Sequence, residues 1–323
     1  MAVNQISMLG GGHYNRNSTL QRAAITTSFA LLPLDFSVSS ATLYFNDMPM
    51  NDFSSLSVTI HAAMQKLSQN DAIKVFPSMV PRSYYQQILP DGSVDIGVSM
   101  TALHWLQSMP PGSADDKSAI SAAAHNDLTT FLSAQHNELR EGGSLILGIP
   151  VVGDVNVDLV IECYNLTLDA LAERGLIDRS IISSCHLPVY FRSWSEVQSA
   201  LEAAAGAWDV AKMFTTPIEH PASLKLRVDT TGQHIKDRHS AGVDTWADEI
   251  TRSTISIAAS PFKTAVRKFN GSEDMVCNRG ETESNKESEL MDELSRALKQ
   301  TFLATDSDRK FGFTYAFLRL TRI

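Results

Sequence analysis

Two hydrophobic periodicities alternate along the first half of the chain. Apolar residues recur every three or four positions over Leu56–Leu67 and Ala119–Leu139, which predicts two amphipathic helices. Short continuous apolar runs predict buried strands at Thr42–Phe45, Val94–Val98 and Ser144–Ile149. Helices and strands that alternate in this way are typical of an open α/β sheet.

Glycines and a proline interrupt this pattern at two places. Gly142 and Gly143 follow the second helix, and they are predicted to end it because glycine often closes a helix in the left-handed conformation. The apolar segment Phe29–Val38 carries Pro33 in its middle. Proline donates no backbone hydrogen bond, which argues against a central strand or a helix interior there.

Helical patterns dominate the second half. Ser193 is predicted to cap one of these helices, and the polar segment Gly271–Glu289 is predicted to be a mobile surface loop. The predicted elements are helices at Leu159–Arg174, Ser195–Ala205, Val243–Ile257 and Glu289–Leu303, and a final strand at Phe311–Leu320. We therefore expect an α/β core over residues 1–154, a mainly helical cap over residues 155–300, and a C-terminal strand, residues 301–323, that returns to the core.

Composition and charge narrow the class of protein. Of 323 residues, 43% are hydrophobic and 20% are charged, which is ordinary for a soluble globular protein. The formal net charge of -9 argues against a general nucleic-acid binder, which needs a basic face for phosphate contacts. No apolar run approaches the roughly 20 residues of a membrane span, and the N-terminus has no secretory pattern. We therefore expect no membrane partner and a cytoplasmic location.

Cysteines and histidines predict no metal site. Cys163, Cys185 and Cys277 are far apart and form neither a CxxC pair nor a Cys/His ligand pattern. His234 and His239 lie in a charged segment without a ligand framework. Reduced cysteines also fit the expected cytoplasmic location.

Four polar motifs interrupt the hydrophobic pattern. In chain order they are Tyr14-Asn-Arg-Asn17-Ser18-Thr-Leu-Gln21, Phe45-Asn46-Asp47-Met48-Pro49-Met50-Asn51-Asp52-Phe53, Pro81-Arg82-Ser83-Tyr84-Tyr85 and Ser99-Met100-Thr101-Ala102-Leu103-His104-Trp105-Leu106. Together they resemble the motifs of the SABATH family, the S-adenosylmethionine (SAM)-dependent carboxyl methyltransferases of the salicylate, benzoate and jasmonate type. The resemblance extends from about Gly10 to Glu196, with His13 in place of the family's serine.

This resemblance implies a fold, a cofactor and a reaction. The fold would be a Rossmann-like SAM-methyltransferase α/β sheet with a mainly helical, substrate-binding cap. The cofactor would be SAM, and the reaction would form the methyl ester of a small acid, aromatic or otherwise a secondary metabolite. A carboxylate is already ionised at neutral pH, so the transfer needs no general base. Rate would come from holding the carboxylate oxygen in line with the methyl group. A homodimer is compatible with the resemblance.

The first two motifs would contact the cofactor by this resemblance. Tyr14 and Ser18 would reach its methionine end. Asp47 would bind both ribose hydroxyls, because a carboxylate at the C-terminal end of a strand can reach them. Met48 would flank the adenine. The alternative for Asp47 is an Asx-turn that only closes the strand.

The third motif would contact the adenine. Ser83 would bond the adenine amino group, and Tyr84 would lie against the purine, since aromatic faces stack without a fixed hydrogen-bond register. The alternative is a packed surface loop. Arg82 replaces a glycine of the family, so the backbone of this loop is expected to differ.

The acid would be held by residues of the first and fourth motifs. Gln21 and Trp105 would hold the substrate carboxylate through their N–H groups, and His104 would shape the acyl pocket. Thr101 stands where the family has a tyrosine, so the pocket would be wider or more polar at that point. The alternative for His104 is a core histidine whose hydrogen bonds are satisfied.

Two further features of the sequence concern packing. Pro188–Glu196 also matches the family, and we interpret it as the cap of a helix and not as part of the chemistry. Trp194, Trp208 and Phe214 either line the acyl pocket or pack in the core.

One element of the family is absent from this sequence. Between the matches at Gln21 and Asp47, the family has a strand ending in Ala-Asp-Leu-Gly-Cys-x-x-Gly, whose glycines let the backbone approach the cofactor. This chain has no glycine between Gly12 and Gly92. The sheet is therefore expected to be incomplete, lacking its first strands and exposing apolar side chains. Phe29–Val38 could fill the gap in the sheet as a substitute strand.

Two explanations fit this absence. Either an exon has been dropped from the gene model or transcript, or the chain is genuinely shortened and no longer binds SAM. Motifs that resume in phase on both sides favour the first. A shortened relative would hold a small acid or a partner subunit without catalysis. Methyl transfer to nitrogen or to a phenolic oxygen would instead need a base such as His104. The pH–rate profile would then have an inflection at about pH 6.5.

Overall fold

The computed structural model describes residues 19–32, 38–67, 73–110, 116–155, 158–229, 241–269, 281–305 and 311–323. Its helices are α1 (Thr19–Ser28), α2 (Phe53–Leu67), α3 (Lys117–Glu138), α4 (Asp158–Glu173), α5 (Ile182–Cys185), α6 (Trp194–Ala203), α7 (Pro221–Asp229), α8 (Ala241–Phe269) and α9 (Glu281–Ala304), with 3₁₀ turns at Phe29–Leu31 and Arg179–Ile181. Its strands are β1 (Ser40–Asp47), β2 (Lys74–Pro81), β3 (Val94–Met100), β4 (Leu139–Val151), β5 (Trp208–Glu219) and β6 (Gly312–Arg322). None of the described helices is both long and apolar enough to cross a membrane.

The strands form two separate sheets. β1 and β2 pair in parallel, from Ser40 opposite Lys74 to Asp47 opposite Pro81. The second sheet has the order β3-β4-β6-β5, in which β3 and β4 are parallel and β6 runs antiparallel to both of its neighbours. Parallel strands joined through a helix, β1-α2-β2 and β3-α3-β4, are the crossover units of an α/β fold. The architecture therefore agrees with the predicted α/β class.

The largest hydrophobic core lies among the helices of the second half. Trp246 on α8 packs edge-on against Phe302 on α9, with 5.9 Å between ring centroids, and Leu168 of α4 belongs to the same cluster. A second core lies between the four-stranded sheet and the helices α3 and α6. A third, smaller core includes Ala24 of α1 and Leu31, which pack against the same sheet.

Helix α3 ends within one residue of the predicted Leu139, but the glycines do not end it. Its last residue is Glu138, and β4 begins at the next residue, Leu139, whose side chain is fully buried. The prediction that Gly142 and Gly143 end the helix was wrong. Gly142 instead has a positive φ of 72° inside β4, where the pairing with β3 is irregular. Burial of Leu139 in the sheet core outweighs the local glycine signal.

The hydrophobic pattern does not predict β2, β5 or α7. Two prolines, Pro77 and Pro81, lie within β2, but proline is tolerated at the edge of a sheet, and both strands of a two-stranded sheet are edge strands. β5 is the outer strand of the second sheet and exposes Asp209 and Lys212. Charged residues of this kind prevent further pairing at the edge of a sheet. They also interrupt the apolar run, so the hydrophobic pattern does not predict this strand.

Part of the predicted surface loop Gly271–Glu289 is helical. α9 begins at Glu281, and Glu287 pairs with Arg267 of α8 at 2.7 Å. The charged composition of residues 281–289 suggests a loop when the sequence is considered alone. In the fold, Arg267 of the neighbouring helix compensates the charge of Glu287. The loop prediction was therefore wrong from Glu281 onward. Residues 271–280 lie outside the described residues.

Phe29–Val38 does not supply a substitute strand where it is described. Phe29–Leu31 forms a 3₁₀ turn, and Leu31 is fully buried in the small core under α1. Residues 33–37 lie outside the described residues. The strands form two sheets and not one, and apolar side chains of β1, β2 and β3 are exposed, which confirms the expected exposure: Leu43, Tyr44, Phe76, Met79 and Val98.

Candidate functional site

The fourth motif forms a fixed loop beyond the C-terminal end of β3. The Tyr85 hydroxyl donates to the Trp105 carbonyl at 2.7 Å, and the Tyr190 N–H donates to the His104 carbonyl at 2.8 Å. The third motif and the 188–190 segment therefore hold the same two residues from different sides. Backbone hydrogen bonds of this kind fix the positions of the His104 and Trp105 side chains.

Arg192 supports this loop from the interior. Its side chain is almost fully buried, and its guanidinium donates to the carbonyls of Leu103 and Ala124, the latter at 3.2 Å from Nε. A buried guanidinium needs such acceptors, because burying a charge without hydrogen bonds is costly. Arg192 thereby joins the loop to α3.

His104 and Trp105 line a cavity together with Gln21 of α1. The remaining lining residues are Val160, Ile161, Leu187, Val189, Phe191, Ser253, Thr254, Ile257, Phe311 and Phe313. A mostly apolar lining with a few polar groups is usual for small-molecule sites. The volume of about 40 Å³ is well below the roughly 150 Å³ of a cavity that binds benzene. An acid with a ring must therefore displace side chains on entering.

His104 is neutral in this environment. Its ring stacks on Phe191, with centroids 5.5 Å apart and planes at 21°. Burial, and to a smaller extent the charge of Arg192, lowers the pKa of His104 to about 3. Its Nδ1 atom is buried and has no hydrogen-bond partner among the described residues. A histidine with this pKa is a weak base at neutral pH, which counts against methyl transfer to a group that needs deprotonation.

Gln21 brings a second unpaired polar atom to the cavity. Its Oε1 is buried and has no hydrogen-bond partner among the described residues. Gln21 and His104 come from opposite ends of the first half of the chain, yet both line the same cavity as Trp105. The structure thus brings together three of the four residues that the sequence assigns to the acid.

Thr101, the fourth, does not line this cavity. Its hydroxyl lies 3.0 Å from the Tyr315 hydroxyl, and its side chain is buried. Its φ of 56° is in the left-handed region, which is uncommon for a β-branched residue. Thr101 therefore shapes the turn that leads from β3 into the loop.

The second motif follows β1 with a turn in which the Asn51 N–H donates to the Met48 carbonyl at 2.9 Å. Asp47 does not form the expected Asx-turn, because its carboxylate accepts from the next residue and not from the N–H two residues on. Asp47 Oδ1 accepts from the Met48 N–H, and Oδ2 accepts from Asn51 Nδ2, both at 2.7 Å. Asn46 Nδ2 donates to the Arg82 carbonyl at 2.7 Å and so ties the end of β1 to the end of β2. The turn and a ribose-binding role are compatible, because each carboxylate oxygen of Asp47 has a second lone pair.

The third motif connects the end of β2 with the loop that carries His104 and Trp105. Tyr84 donates its hydroxyl hydrogen to the Ala102 carbonyl at 3.0 Å. Burial raises the pKa of Tyr84 well above its usual value, with smaller contributions from Tyr85 and from the charge of Asp47. The Tyr84 ring packs edge-on against Phe131, with 5.9 Å between ring centroids. Ser83 Oγ lies 3.4 Å from the Tyr85 backbone nitrogen, on the same turn.

The residues that the sequence assigns to the adenosine half of SAM lie together at one place in the fold. Asp47, with Met48, and Ser83, with Tyr84, meet at the carboxyl ends of β1 and β2. Tyr14 and Ser18, which the sequence places at the methionine end, lie outside the described residues. The described part of the chain has no glycine turn beside β1 that could receive that end of the cofactor.

Sequence patterns miss several residues of the cavity and suggest others in error. Phe311 and Phe313 line it from the start of β6, where aromatic residues at every second position share one face, a signal the sequence does contain. Trp194 and Trp208 pack instead in the second core, and Phe214 stacks on β6 in the third. Core packing is thus the correct interpretation for these three residues.

Ser193 and Glu196 form the helix cap that the sequence predicts. Ser193 accepts from the Glu196 N–H while the Glu196 side chain accepts from the Ser193 N–H, a complete capping box at the start of α6. Burial alone would raise the pKa of Glu196, but hydrogen bonds from Ser121, Ser193 and Tyr190 lower it to about 2. Among the described residues, no three His, Cys, Asp or Glu side chains are arranged to hold a metal ion.

Comparisons with known proteins address the family directly. The family model for SAM-dependent carboxyl methyltransferases matches residues 34–297. Methyltransferase FUS9 of Gibberella fujikuroi is 25% identical over 363 aligned positions, which cover 99% of this chain and 98% of that protein. The benzoic acid/salicylic acid carboxyl methyltransferase 2 of Petunia hybrida is 26% identical over 204 positions, 56% of each chain.

A solved structure shares the fold. Loganic acid methyltransferase with S-adenosylhomocysteine (SAH) superposes with a TM-score of 0.62 and 16% identity, covering 98% of both chains. This confirms the Rossmann-like SAM-methyltransferase class. The family match includes the second, third and fourth motifs and most of the helices that surround the cavity. The chain therefore belongs to the SABATH family of SAM-dependent carboxyl methyltransferases.

Proposed function

We propose that this chain holds a small carboxylic acid in the cavity of Gln21, His104 and Trp105, with the carboxylate as methyl acceptor. The observation that carries this proposal is the pair of buried, unpaired polar atoms, Gln21 Oε1 and His104 Nδ1, on a mostly apolar cavity. A buried polar atom without a partner costs about 1–3 kcal/mol. A ligand with a polar group at this position would remove that cost.

The donors of the cavity suit a carboxylate. Rotating the Gln21 amide by half a turn exchanges its oxygen for its nitrogen, so it can present an N–H. Trp105 adds its indole N–H, and neutral His104 adds another in the tautomer that carries the proton on Nδ1. No lining residue is a lysine or arginine, so binding would depend on directed N–H groups and not on a neutralising cation.

The rest of the lining favours an aromatic or other apolar acid. Phe191, Phe311 and Phe313 offer ring faces and edges to the body of the ligand. The name of the Petunia hybrida relative, which specifies benzoic and salicylic acids, supports the same class of substrate. We therefore expect a secondary-metabolite acid with a ring or a compact apolar body.

The residues of this chain would act by positioning. SAM supplies an electrophilic methyl group when bound. Gln21 and Trp105 hold the carboxylate in one orientation, and the aromatic lining excludes water around it. The carboxylate carries no proton at neutral pH, so no side chain has to remove one. His104 remains neutral throughout.

The divided sheet favours a second candidate function. The described residues offer no site for the methionine end of SAM, while the acid cavity is formed. A chain of this kind would bind an acid, or a partner subunit that presents one, without transferring a methyl group.

Calorimetric titration with benzoate, salicylate and heptanoate tests the acid site. We expect one site per chain, with the ring-bearing acids bound more tightly than heptanoate. Trp105→Phe removes the indole donor and should weaken binding by about tenfold or more, since hydrogen bonds to charged groups contribute about 1.5–3 kcal/mol. Trp194→Phe, outside the cavity, is the matched control and should leave affinity unchanged.

Product analysis then separates the two functions. Methyl ester formed from SAM and a bound acid would support the first function. Acid binding without ester would support the second. A folded chain that binds no acid, or a Trp105→Phe variant that binds as well as the control, would overturn the proposal.

A further inference from the structure

Tyr85 is the tyrosine of the third motif to which the resemblance gives no role, since it assigns Ser83 and Tyr84 to the adenine. The side chain of Tyr85 is only 6% exposed and lies in the second core. The ring of a phenylalanine would pack in that apolar environment as well. A buried tyrosine hydroxyl usually has a hydrogen-bond partner, so the partner of this hydroxyl indicates what the residue does beyond packing.

The hydroxyl of Tyr85 supports a four-residue turn that runs from Ala102 to Trp105. The Trp105 N–H donates to the Ala102 carbonyl at 3.1 Å and closes the turn. Tyr84 donates to the carbonyl of the first residue at 3.0 Å, and Tyr85 donates to the carbonyl of the last at 2.7 Å. Two consecutive tyrosines therefore hold the two ends of one turn.

The two middle residues of the turn are held from other directions. Arg192 donates to the Leu103 carbonyl, and the Tyr190 N–H donates to the His104 carbonyl at 2.8 Å. All four carbonyls of the turn thus accept a hydrogen bond from another part of the chain. A backbone held in this way has little freedom to reorient, and the directions of its side chains are fixed with it.

Arg192 also determines the direction of the Tyr85 hydrogen bond. Its guanidinium is hydrogen-bonded to the Tyr85 hydroxyl, and a guanidinium can only donate. The hydroxyl oxygen therefore accepts from Arg192, and the hydroxyl hydrogen remains for the Trp105 carbonyl. A chain of donors thus runs from a buried guanidinium to a residue that lines the acid cavity.

The peptide group that follows Trp105 is held at both of its polar atoms. Tyr85 donates to its carbonyl, and its N–H, which belongs to Leu106, donates to the Pro188 carbonyl at 2.8 Å. A peptide group held at one atom can swing about that hydrogen bond, whereas two bonds on opposite sides fix its plane. The Trp105 Cα atom lies in this plane, so the plane sets the direction in which the indole leaves the backbone.

We propose that Tyr85 is a positioning residue for the acid, which fixes the peptide group after Trp105 and so aims the indole N–H into the cavity. The inference rests on the proposed function, in which Trp105 holds the carboxylate. A displacement of about 1 Å can cost about 100-fold in rate. A small change in the direction of the indole should therefore be measurable.

Tyr85→Phe keeps the ring in the core and removes only the hydroxyl. Tyr164→Phe is the matched control, because the buried Tyr164 hydroxyl donates to the Cys185 carbonyl at 3.2 Å and Tyr164 is not among the lining residues of the cavity. Each variant loses one buried hydrogen bond to a carbonyl, so both melting temperatures should fall by a similar amount, about 2–5 °C. In calorimetry, salicylate binding should weaken about threefold to tenfold in Tyr85→Phe and stay unchanged in Tyr164→Phe.

The indole N–H resonance of Trp105 gives a second readout, which needs no ligand. The ¹⁵N-labelled chain has one indole signal for each of its four tryptophans, and the signal that Trp105→Phe removes belongs to Trp105. In Tyr85→Phe this signal should shift or broaden, because the ring then samples more than one orientation. In Tyr164→Phe it should not change.

Replacing Tyr85 by 4-aminophenylalanine tests rescue. The amino group lies where the hydroxyl was and can donate to the Trp105 carbonyl. We expect it to restore both the indole signal and the affinity for salicylate, although it changes the chain at the same position as Tyr85→Phe. A role confined to packing predicts no difference between the two variants.

Three results would overturn the positioning role. They are an unchanged Trp105 signal in Tyr85→Phe, equal salicylate affinities for Tyr85→Phe and Tyr164→Phe, and a folded 4-aminophenylalanine chain that behaves like Tyr85→Phe. Failure of the proposed function gives a different result. The unmodified chain would then bind no salicylate, while the Trp105 signal would still respond to Tyr85→Phe.

Discussion

At the scale of single residues, the acid cavity is defined by polar atoms that the fold leaves unpaired. Gln21 and His104 are far apart in sequence, and each buries an atom without a partner on the same cavity. The surrounding side chains are mostly apolar, with Ser253 and Thr254 as the hydroxyl-bearing exceptions. Charge introduced at either position should therefore act directly on a bound carboxylate.

Gln21→Glu should weaken binding of benzoate or salicylate by at least about tenfold. The new carboxylate would face the ligand carboxylate in a poorly solvated cavity, where repulsion of like charges exceeds its value in water. Gln65→Glu, the same change on the exposed surface of α2, is the control. Equal affinities for the two variants, measured by calorimetry, would show that the acid does not lie beside Gln21.

Two buried histidines predict a loss of stability in acid. Burial lowers the pKa of His104 to about 3 and that of His220 to about 4. A histidine in an unfolded chain has a pKa of about 6.5. As the pH falls, the unfolded state therefore binds protons first. The contribution of the two histidines to the free energy of unfolding is complete above about pH 6.5 and is lost as the pH falls towards 4. Protonation of His220 Nδ1 would also break its hydrogen bond from the Ala222 N–H.

Urea unfolding between pH 7 and about 4.5 measures this effect. We expect the midpoint to fall with pH, and His220→Gln to reduce the slope. His61→Gln, at an exposed position of α2, should leave the slope as it is. A slope that is the same for all three chains would exclude His220 as a source of acid sensitivity.

At the scale of elements, the loop that carries His104 and Trp105 depends on Arg192. Arg192→Gln removes a buried guanidinium whose acceptors are two carbonyls, and we expect a loss of about 2–4 kcal/mol in the free energy of unfolding. Arg140→Gln breaks the exposed ion pair with Asp95 and should cost about 0.5 kcal/mol or less. Similar losses for both variants would mean that Arg192 does not hold the loop.

The elements also show where sequence patterns succeed and fail. β1, β3, β4 and β6 contain apolar runs, and α2, α3 and α4 carry apolar residues at helical spacing, so the hydrophobic pattern predicts them. β2 and β5 are outer strands, whose prolines and charges are allowed because one edge needs no partner. The end of α3 depends on the tertiary burial of Leu139, which no local signal contains.

Sequence motifs likewise predict only some of the residues that line the cavity. Gln21, His104 and Trp105 are predicted to act together, and the fold places them on one cavity. The two hydroxyl residues of α8 that line it, Ser253 and Thr254, come from a segment without a motif, and Phe191 lies in a matched segment that we interpreted only as a helix cap. Their roles depend on how the helices pack over the sheet, and a single sequence does not contain that arrangement.

At the scale of the whole molecule, stability should be distributed unevenly. The unit β1-α2-β2 has few buried side chains, with Ile60 the buried residue of α2, whereas β4 and β6 are buried along most of their length. Regions with few buried contacts open first. In the unmodified chain, amides of β1 and α2 should exchange at least about 100-fold faster than those of β4 and β6, and comparable rates would contradict this.

The relation between acid site and cofactor site is also a property of the whole molecule. The acid cavity is formed by α1, the loop beyond β3 and the helical half of the chain, and it does not involve β1 or β2. Asp47 and Tyr84, which the sequence assigns to the adenosine half of SAM, lie at the carboxyl end of the separate two-stranded sheet and just beyond it. Acid binding and cofactor binding should therefore be separable in this chain.

Calorimetric titration of SAH into the unmodified chain, with and without bound salicylate, tests this separation directly. With only the adenosine half of the site in place, we expect SAH to bind at millimolar concentration or not at all, while salicylate still binds one site per chain. Binding of one SAH molecule per chain at micromolar concentration would contradict this separation. It would show that the chain forms a complete cofactor site.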